Sequence, residues 1–373
     1  MTQSADQSGV RSIPQSRLRR GFTLVELLVS MAILTLIVVL LATIVNQTSA
    51  TWQYTNSRIE QFRGARDGFE AMTRRLSQAT LNTYWDYLDA NGAGRTSANS
   101  ASFVPARYAR QSELRFISGP GLAGDVNTTP PRPTHSIFFQ APLGYVEDRG
   151  NFGGLENLLN TWGYYIEFNM EPSRPPFVTG TMAPPRYRYR LMELMCPSEK
   201  MPLYKYTSGS PTYSGQQWFT DLIGPAISGT YTHVLAENIV ALVILPKLSQ
   251  QDENKLIPKP TAANLGTSLA PKFSYDSTQT NANPSLNPKN QLPPVLQVTM
   301  VAVDEASYSR VQSGTKALDL GLAPLFTTQS GSPATQADLD TLQATLLKKH
   351  INFRVFTTEI SLKAAKWSRS QAN

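Results

Sequence analysis

The chain is poor in the residues that most enzymes and stapled domains are built around. One of its 373 residues, Cys196, is a cysteine, which excludes an internal disulfide and leaves a buried or half-buried thiol as the plain reading. Histidine is almost as scarce. His135, His233 and His350 stand far apart, without His-x-x-x-His spacing or neighbouring cysteines, so each reads as a loop or strand-end residue and not as a zinc ligand. No Gly-x-Ser-x-Gly elbow is present on which a Ser-His-Asp arrangement could be based. Asn91-Gly92-Ala93-Gly94-Arg95-Thr96 has the glycines of a phosphate loop, but it lacks the lysine and a preceding buried strand, and reads as a turn. Internal repeats at periods of about 20–50 residues are missing too. Catalysis is not expected.

A dense stripe of positive charge is also lacking. The 34 basic and 27 acidic residues give a formal +7, but residues 1–21 hold four Arg against one Asp, and removing them leaves 30 against 26, about +4. That balance is too even to neutralise a row of phosphates, so no nucleic-acid partner is expected.

What the chain does have is one long apolar run. From Phe22 to Val45 there are 24 residues whose only ionisable side chain is Glu26. At about 1.5 Å per residue a helix of that length covers a hydrocarbon core of roughly 30 Å. A carboxylate at the centre of a spanning helix costs about 2.5–3.5 kcal/mol on insertion scales, so a chain that keeps Glu26 has reason to supply it with a partner. Arg11, Arg17, Arg19 and Arg20 precede the run. By the positive-inside rule they hold that end in the cytoplasm and send the body of the protein outward. A secretory signal peptide fits less well, because its apolar region would be only about 7–15 residues long.

Arg19-Arg20-Gly21-Phe22-Thr23-Leu24-Val25-Glu26 at the start of that run resembles the processing site of type IV prepilins and type II secretion pseudopilins. The resemblance implies cleavage between Gly21 and Phe22 by prepilin peptidase, N-methylation of Phe22, and an assembly role for Glu26. That carboxylate would pair with the new amino terminus of a neighbouring subunit. It further implies other pilin-like subunits, the inner membrane and a secretion or pilus assembly platform as partners, with the head periplasmic or extracellular. Leu235 to Leu242 followed by Leu292 to Met300 is similar in order to the head of J-type minor pseudopilins. The closing run from His350 to Glu359 and on to Lys366-Trp367-Ser368 is similar to the C component of the Verru_Chthon cassette, itself a prepilin-type family.

Beyond the span, Trp52, Thr55, Ile59, Phe62, Ala65, Phe69, Met72, Leu76 and Ala79 recur at spacings of three and four, while Arg58, Glu60, Arg63, Asp67, Glu70 and Arg74 fall on the opposite face. The pattern predicts an amphipathic extension over 46–83, with Gly64 and Gly68 as bends or small-residue contacts. The remainder, 84–373, reads as a β-rich head. Its predicted strands are Glu113 to Ser118, His135 to Gln140, Trp162 to Asn169, Arg186 to Met195, Ile239 to Leu245, Pro294 to Val303 and Asn352 to Leu362. A further helix is predicted from Thr335 to Lys349, capped by Thr335 or Ser332, with Leu339, Leu342, Leu346 and Leu347 inward.

Residues 246–294, crowded with Pro, Asn, Ser, Lys and Gln, read as a long, partly mobile surface loop, and 119–134 and 195–229 look similar. Asp86, Asp89 and Asn91 offer closely spaced oxygens in which calcium is conceivable, but the spacing is not that of an EF-hand, and a solvated turn is the simpler reading. The expected fold is α+β: a leader over 1–21, a transmembrane half-helix over 22–45, its extension, and an antiparallel head. The expected function is that of a minor pseudopilin subunit. A pilin-anchored binding module, an adhesin or a cargo or DNA receptor, is the alternative.

Overall fold

The structure, a computed structural model, describes residues 23–154, 158–171, 185–202, 206–207, 210–211, 215–224, 230–261, 265–312, 314–328 and 334–369. The chain divides into two compact units, Met1–Ser57 and Arg58–Asn373. Helix α1 (Leu24–Leu76) begins in the first and ends in the second. Over Leu24–Ser49 it is predominantly apolar, and hydroxyls there bond back to the helix itself: Ser30 donates to Glu26 O, Thr35 to Met31 O and Thr43 to Val39 O. These three hydroxyls are thereby paired within an apolar helix.

In the second unit α1 turns amphipathic and buries Ala65, Phe69, Met72 and Leu76. This is the predicted inward face, beginning at Phe62; Trp52 and Thr55 fall in the first unit. The helix stops at Leu76 and does not reach Thr83 as the periodicity suggested. Thr80 N already donates to Gln140 O at 2.9 Å, so the chain has joined a sheet, and Asn82 takes a positive φ of 43°. Of the two helix glycines, Gly68 is a contact: a Cβ there would lie 3.0 Å from Ala236 Cβ, whereas Gly64 faces open space.

Among the described residues thirteen strands and five further α-helices follow. They are β1 (Tyr84–Leu88), β2 (Arg107–Gln111), β3 (Ile117–Pro120), β4 (His135–Ala141), α2 (Arg149–Phe152), β5 (Asn160–Met170) and β6 (Tyr187–Cys196). Next come β7 (Tyr206–Thr207), β8 (Ser210–Pro211), α3 (Gln217–Ile223), β9 (Thr232–Glu237), β10 (Ile239–Lys247) and α4 (Gln250–Glu253). The chain closes with β11 (Tyr275–Asp276), β12 (Val295–Val303), α5 (Glu305–Val311), α6 (Ala334–Lys348) and β13 (Phe353–Ser361). A six-stranded sheet runs β11-β3-β4-β5-β6-β9 and a three-stranded one β10-β12-β13, every neighbouring pair antiparallel; β1-β2 and β7-β8 pair separately.

The large sheet is buried on both faces, which explains why β5 alternates less than a half-exposed strand should. On one face Phe139, Trp162, Tyr164 and Ile166 share a core with α1, β10 and β12. On the other, Phe138, Tyr165, Met192 and Cys196 pack with Trp218 and Phe219 of α3, Phe138 and Phe219 stacking at 4.0 Å. Gly163 makes that layer possible. It lies opposite Phe138 in register, and a Cβ there would meet the ring at 2.2 Å. Glu193 joins helix to sheet by accepting from Trp162 Nε1 and Tyr164 OH, both at 2.8 Å, and from Arg75 of α1.

Several expectations need correction. Residues 113–116 are not strand: Arg115 N donates to Gln140 Oε1 and Phe116 N to Ser277 Oγ, so side chains take the place of a ladder and β3 starts only at Ile117. Residues 246–294 are not a surface loop. Among the described residues there, Leu248, Leu256, Leu269, Phe273, Tyr275 and Leu292 are buried, and the Glu253 carboxylate accepts from Gly266 N at 2.6 Å and Ser268 Oγ at 3.1 Å. Thr335 lies inside α6 and so is not its cap; Ser332 falls outside the described residues. Leu339, Leu342 and Leu346 face inward as expected, but Leu347 is 64% exposed, one residue past the buried stripe.

Candidate functional site

Two sequence-level sites have to be placed: the amino-terminal motif and the Asp86–Asn91 turn. Arg19, Arg20, Gly21 and Phe22 lie outside the described residues. Thr23 and Glu26 do not, and they close a ring at the start of α1. Glu26 N donates to Thr23 Oγ1 at 3.3 Å, while Glu26 Oε2 accepts from Thr23 N at 3.3 Å and from the Thr23 hydroxyl at 3.2 Å. Leu27 N then donates to Thr23 O at 3.2 Å, the first turn of the helix. Thr23 is the N-cap and Glu26 the third helical residue, the reciprocal capping box of a Thr-x-x-Glu sequence. The partial positive charge of the helix start favours the carboxylate there.

This arrangement changes how the glutamate should be weighed. Glu26 sits in the first turn of the apolar segment Leu24–Ser49, not at its centre, so the full central insertion cost does not apply to it. Thr23 was not singled out from the sequence, although Thr-x-x-Glu before an apolar run is a readable signal.

Residues 16–42 match the prokaryotic N-terminal methylation motif. No curated protein and no solved structure matches the chain. The motif is that of type IV pilin-like precursors, which prepilin peptidase processes and which assemble with other pilins; its family is structural and not catalytic. One helix among the described residues, Leu24–Ser49, is long and apolar enough to cross a membrane, as a single-pass anchor requires.

The second site behaves as a turn. Asp89 Oδ1 accepts from Asn91 N at 2.9 Å and Ala93 N at 2.8 Å, and Asp86 Oδ1 accepts from Tyr87 N at 2.7 Å. These carboxylates organise backbone, and no group of three or more His, Cys, Asp or Glu among the described residues is placed to hold a metal ion. The histidines are not brought together. His233 is exposed on β9, His350 follows α6 with a φ of 55°, and His135 is fully buried between the sheets.

Proposed function

We propose that the protein is a minor pilin-like subunit, cleaved between Gly21 and Phe22, methylated on Phe22 and assembled through α1 into a type II secretion-like or type IV pilus-like filament. One conjunction carries the reading: the methylation motif runs directly into an apolar helix whose single carboxylate, Glu26, sits in its first turn. The four arginines of the flank would keep the amino terminus in the cytoplasm, leaving the head in the periplasm or beyond. A head as large as 84–373 would crowd a tightly wound filament, which favours low copy number. The subunit contributes no catalysis in this reading; its partners are the peptidase, other pilin-like chains and the assembly platform.

The test is the intact mass of the membrane-extracted protein. A mature chain beginning at methylated Phe22 is expected. Replacing Gly21 with a bulky residue should leave the leader attached and the head still exported, because the peptidase, not the export route, reads the junction. A chain still beginning at Met1 in a strain with active peptidase would overturn the reading.

A further inference from the structure

The β1-β2 pair displays an aromatic face that the assembly reading does not use. Trp85 and Tyr87 alternate along β1, and Tyr108 lies opposite Tyr87 on β2, so the three share one side of the ribbon. Their exposures are 49, 55 and 57%, high for residues of this size. Trp85 and Tyr108 stack with centroids 5.5 Å apart, and Tyr87 and Tyr108 approach to 4.9 Å at 47°. Aromatic pairs of this kind steady an isolated two-stranded ribbon, and that alone would explain their packing.

It does not explain Arg110. This residue faces Trp85 in register, is 8% exposed, and holds its guanidinium carbon 5.5 Å from the Trp85 ring centroid. Its Nη1 donates to Gln291 Oε1 at 3.2 Å and to Lys366 O at 2.6 Å. Among the described residues no carboxylate pairs with it, and burial pushes its pKa down. Among the described residues its acceptors are neutral, which leaves a largely buried cation without a compensating charge there.

We propose that this face binds an acidic glycan, with sugar rings stacked on Trp85, Tyr87 and Tyr108 and a sugar carboxylate drawn to the charge of Arg110. Charge complementarity selects the occupant. A pyranose ring presents C–H groups to the electron-rich ring faces, and its carboxylate supplies a counter-charge that no described residue gives to Arg110. Single-stranded nucleic acid would also stack, but its affinity rests on several phosphate contacts, and the cation seen against these rings is Arg110. The proposal concerns the head alone and stands whether or not the chain assembles as a pilin.

The experiment uses the full chain in detergent micelles, with polygalacturonate as probe, hydroxyethylcellulose as the neutral glycan and oligo-dT as the nucleic acid. Binding is read by tryptophan fluorescence and by mobility in polymer-containing native gels. Polygalacturonate should bind best, and raised salt should weaken it while leaving any hydroxyethylcellulose binding unchanged. Trp85→Ala, at a half-exposed position, should weaken polygalacturonate binding roughly tenfold, the loss of one stacking ring. Arg110→Gln removes the charge and should erase the preference for the acidic polymer. Should that variant fail to fold, the salt dependence in the parent decides the same point. No binding of polygalacturonate, equal binding of oligo-dT, or a Trp85→Ala protein that binds like the parent would each overturn the proposal.

Discussion

His135 shows how one side chain can join two sheets and make the junction sensitive to pH. Its Nδ1 accepts from Ile244 N at 2.9 Å and its Nε2–H donates to Phe326 O at 2.7 Å, so the neutral ring satisfies both neighbours at once. A proton on Nδ1 would leave Ile244 N without its acceptor and place a charge among Phe273 and Phe326. Burial is the main reason the pKa falls from 6.5 to about 4, outweighing the carbonyls of Phe326 and of Ile244, the latter 3.1 Å from Nδ1, which favour the charged ring. Because the folded-state value is the lower one, the stabilisation is complete above pH 6.5 and is lost as pH falls toward about 4. The expected loss is up to about 3 kcal/mol. Urea unfolding of the parent and of His135→Gln across that range checks it. The variant should be weaker at pH 7 but show a shallower decline, whereas parallel curves would assign the acid sensitivity to carboxylates elsewhere.

At the level of elements, α1 carries the two glycines that periodicity left undecided. Gly64→Ala should stabilise the head by up to about 1 kcal/mol, since it removes backbone freedom and meets nothing. Gly68→Val should cost about 1–3 kcal/mol, because Ala236 and the Leu235 carbonyl already close the space. Urea midpoints followed by near-ultraviolet circular dichroism of the buried Trp162 and Trp218 would separate the two; equal effects would mean that α1 does not pack at Gly68 as described. The same helix shows what a sequence makes legible. Strong local patterns survived: the inward stripe from Ala65 to Leu76, the unbroken apolar run of β10 and the long strands β5 and β6. Segments decided by distant partners did not. Residues 113–116 have strand-forming composition, yet Gln140 and Ser277 take their amides. The polar stretch 246–294 hides Leu248, Phe273 and Tyr275 at intervals too irregular for any period, and only the core they complete makes sense of them. The β1-β2 ribbon was missed because Tyr84-Trp85-Asp86-Tyr87 is apolar on the side that faces water. At the amino terminus the methylation motif was legible; the Thr23 cap was written in the same residues and was passed over.

For the whole molecule, the question is whether Glu26 serves its own helix or a neighbour. The capping box gives the carboxylate a local task, contacts with Thr23 N and the Thr23 hydroxyl, so its presence alone does not prove an inter-subunit role. The two roles differ in what they ask of the side chain. A cap needs an acceptor, and glutamine serves at this position as glutamate does. A pair with a neighbour's amino terminus needs the negative charge. Glu26→Gln therefore keeps the helix start and removes only the pairing, while Glu26→Leu removes both the charge and the acceptor for Thr23 N. On the pilin-like reading, both variants should insert in the membrane and be processed at Gly21, and both should fail to crosslink with their pilin-like partners. Deleting one member of a buried charge pair costs roughly 3–5 kcal/mol, more than any subunit contact could ignore. The measurement is crosslinking of the processed protein beside a membrane-fraction blot. If Glu26→Gln crosslinks like the parent and only Glu26→Leu is impaired, the carboxylate is a helix cap and the assembly role passes to other residues of α1.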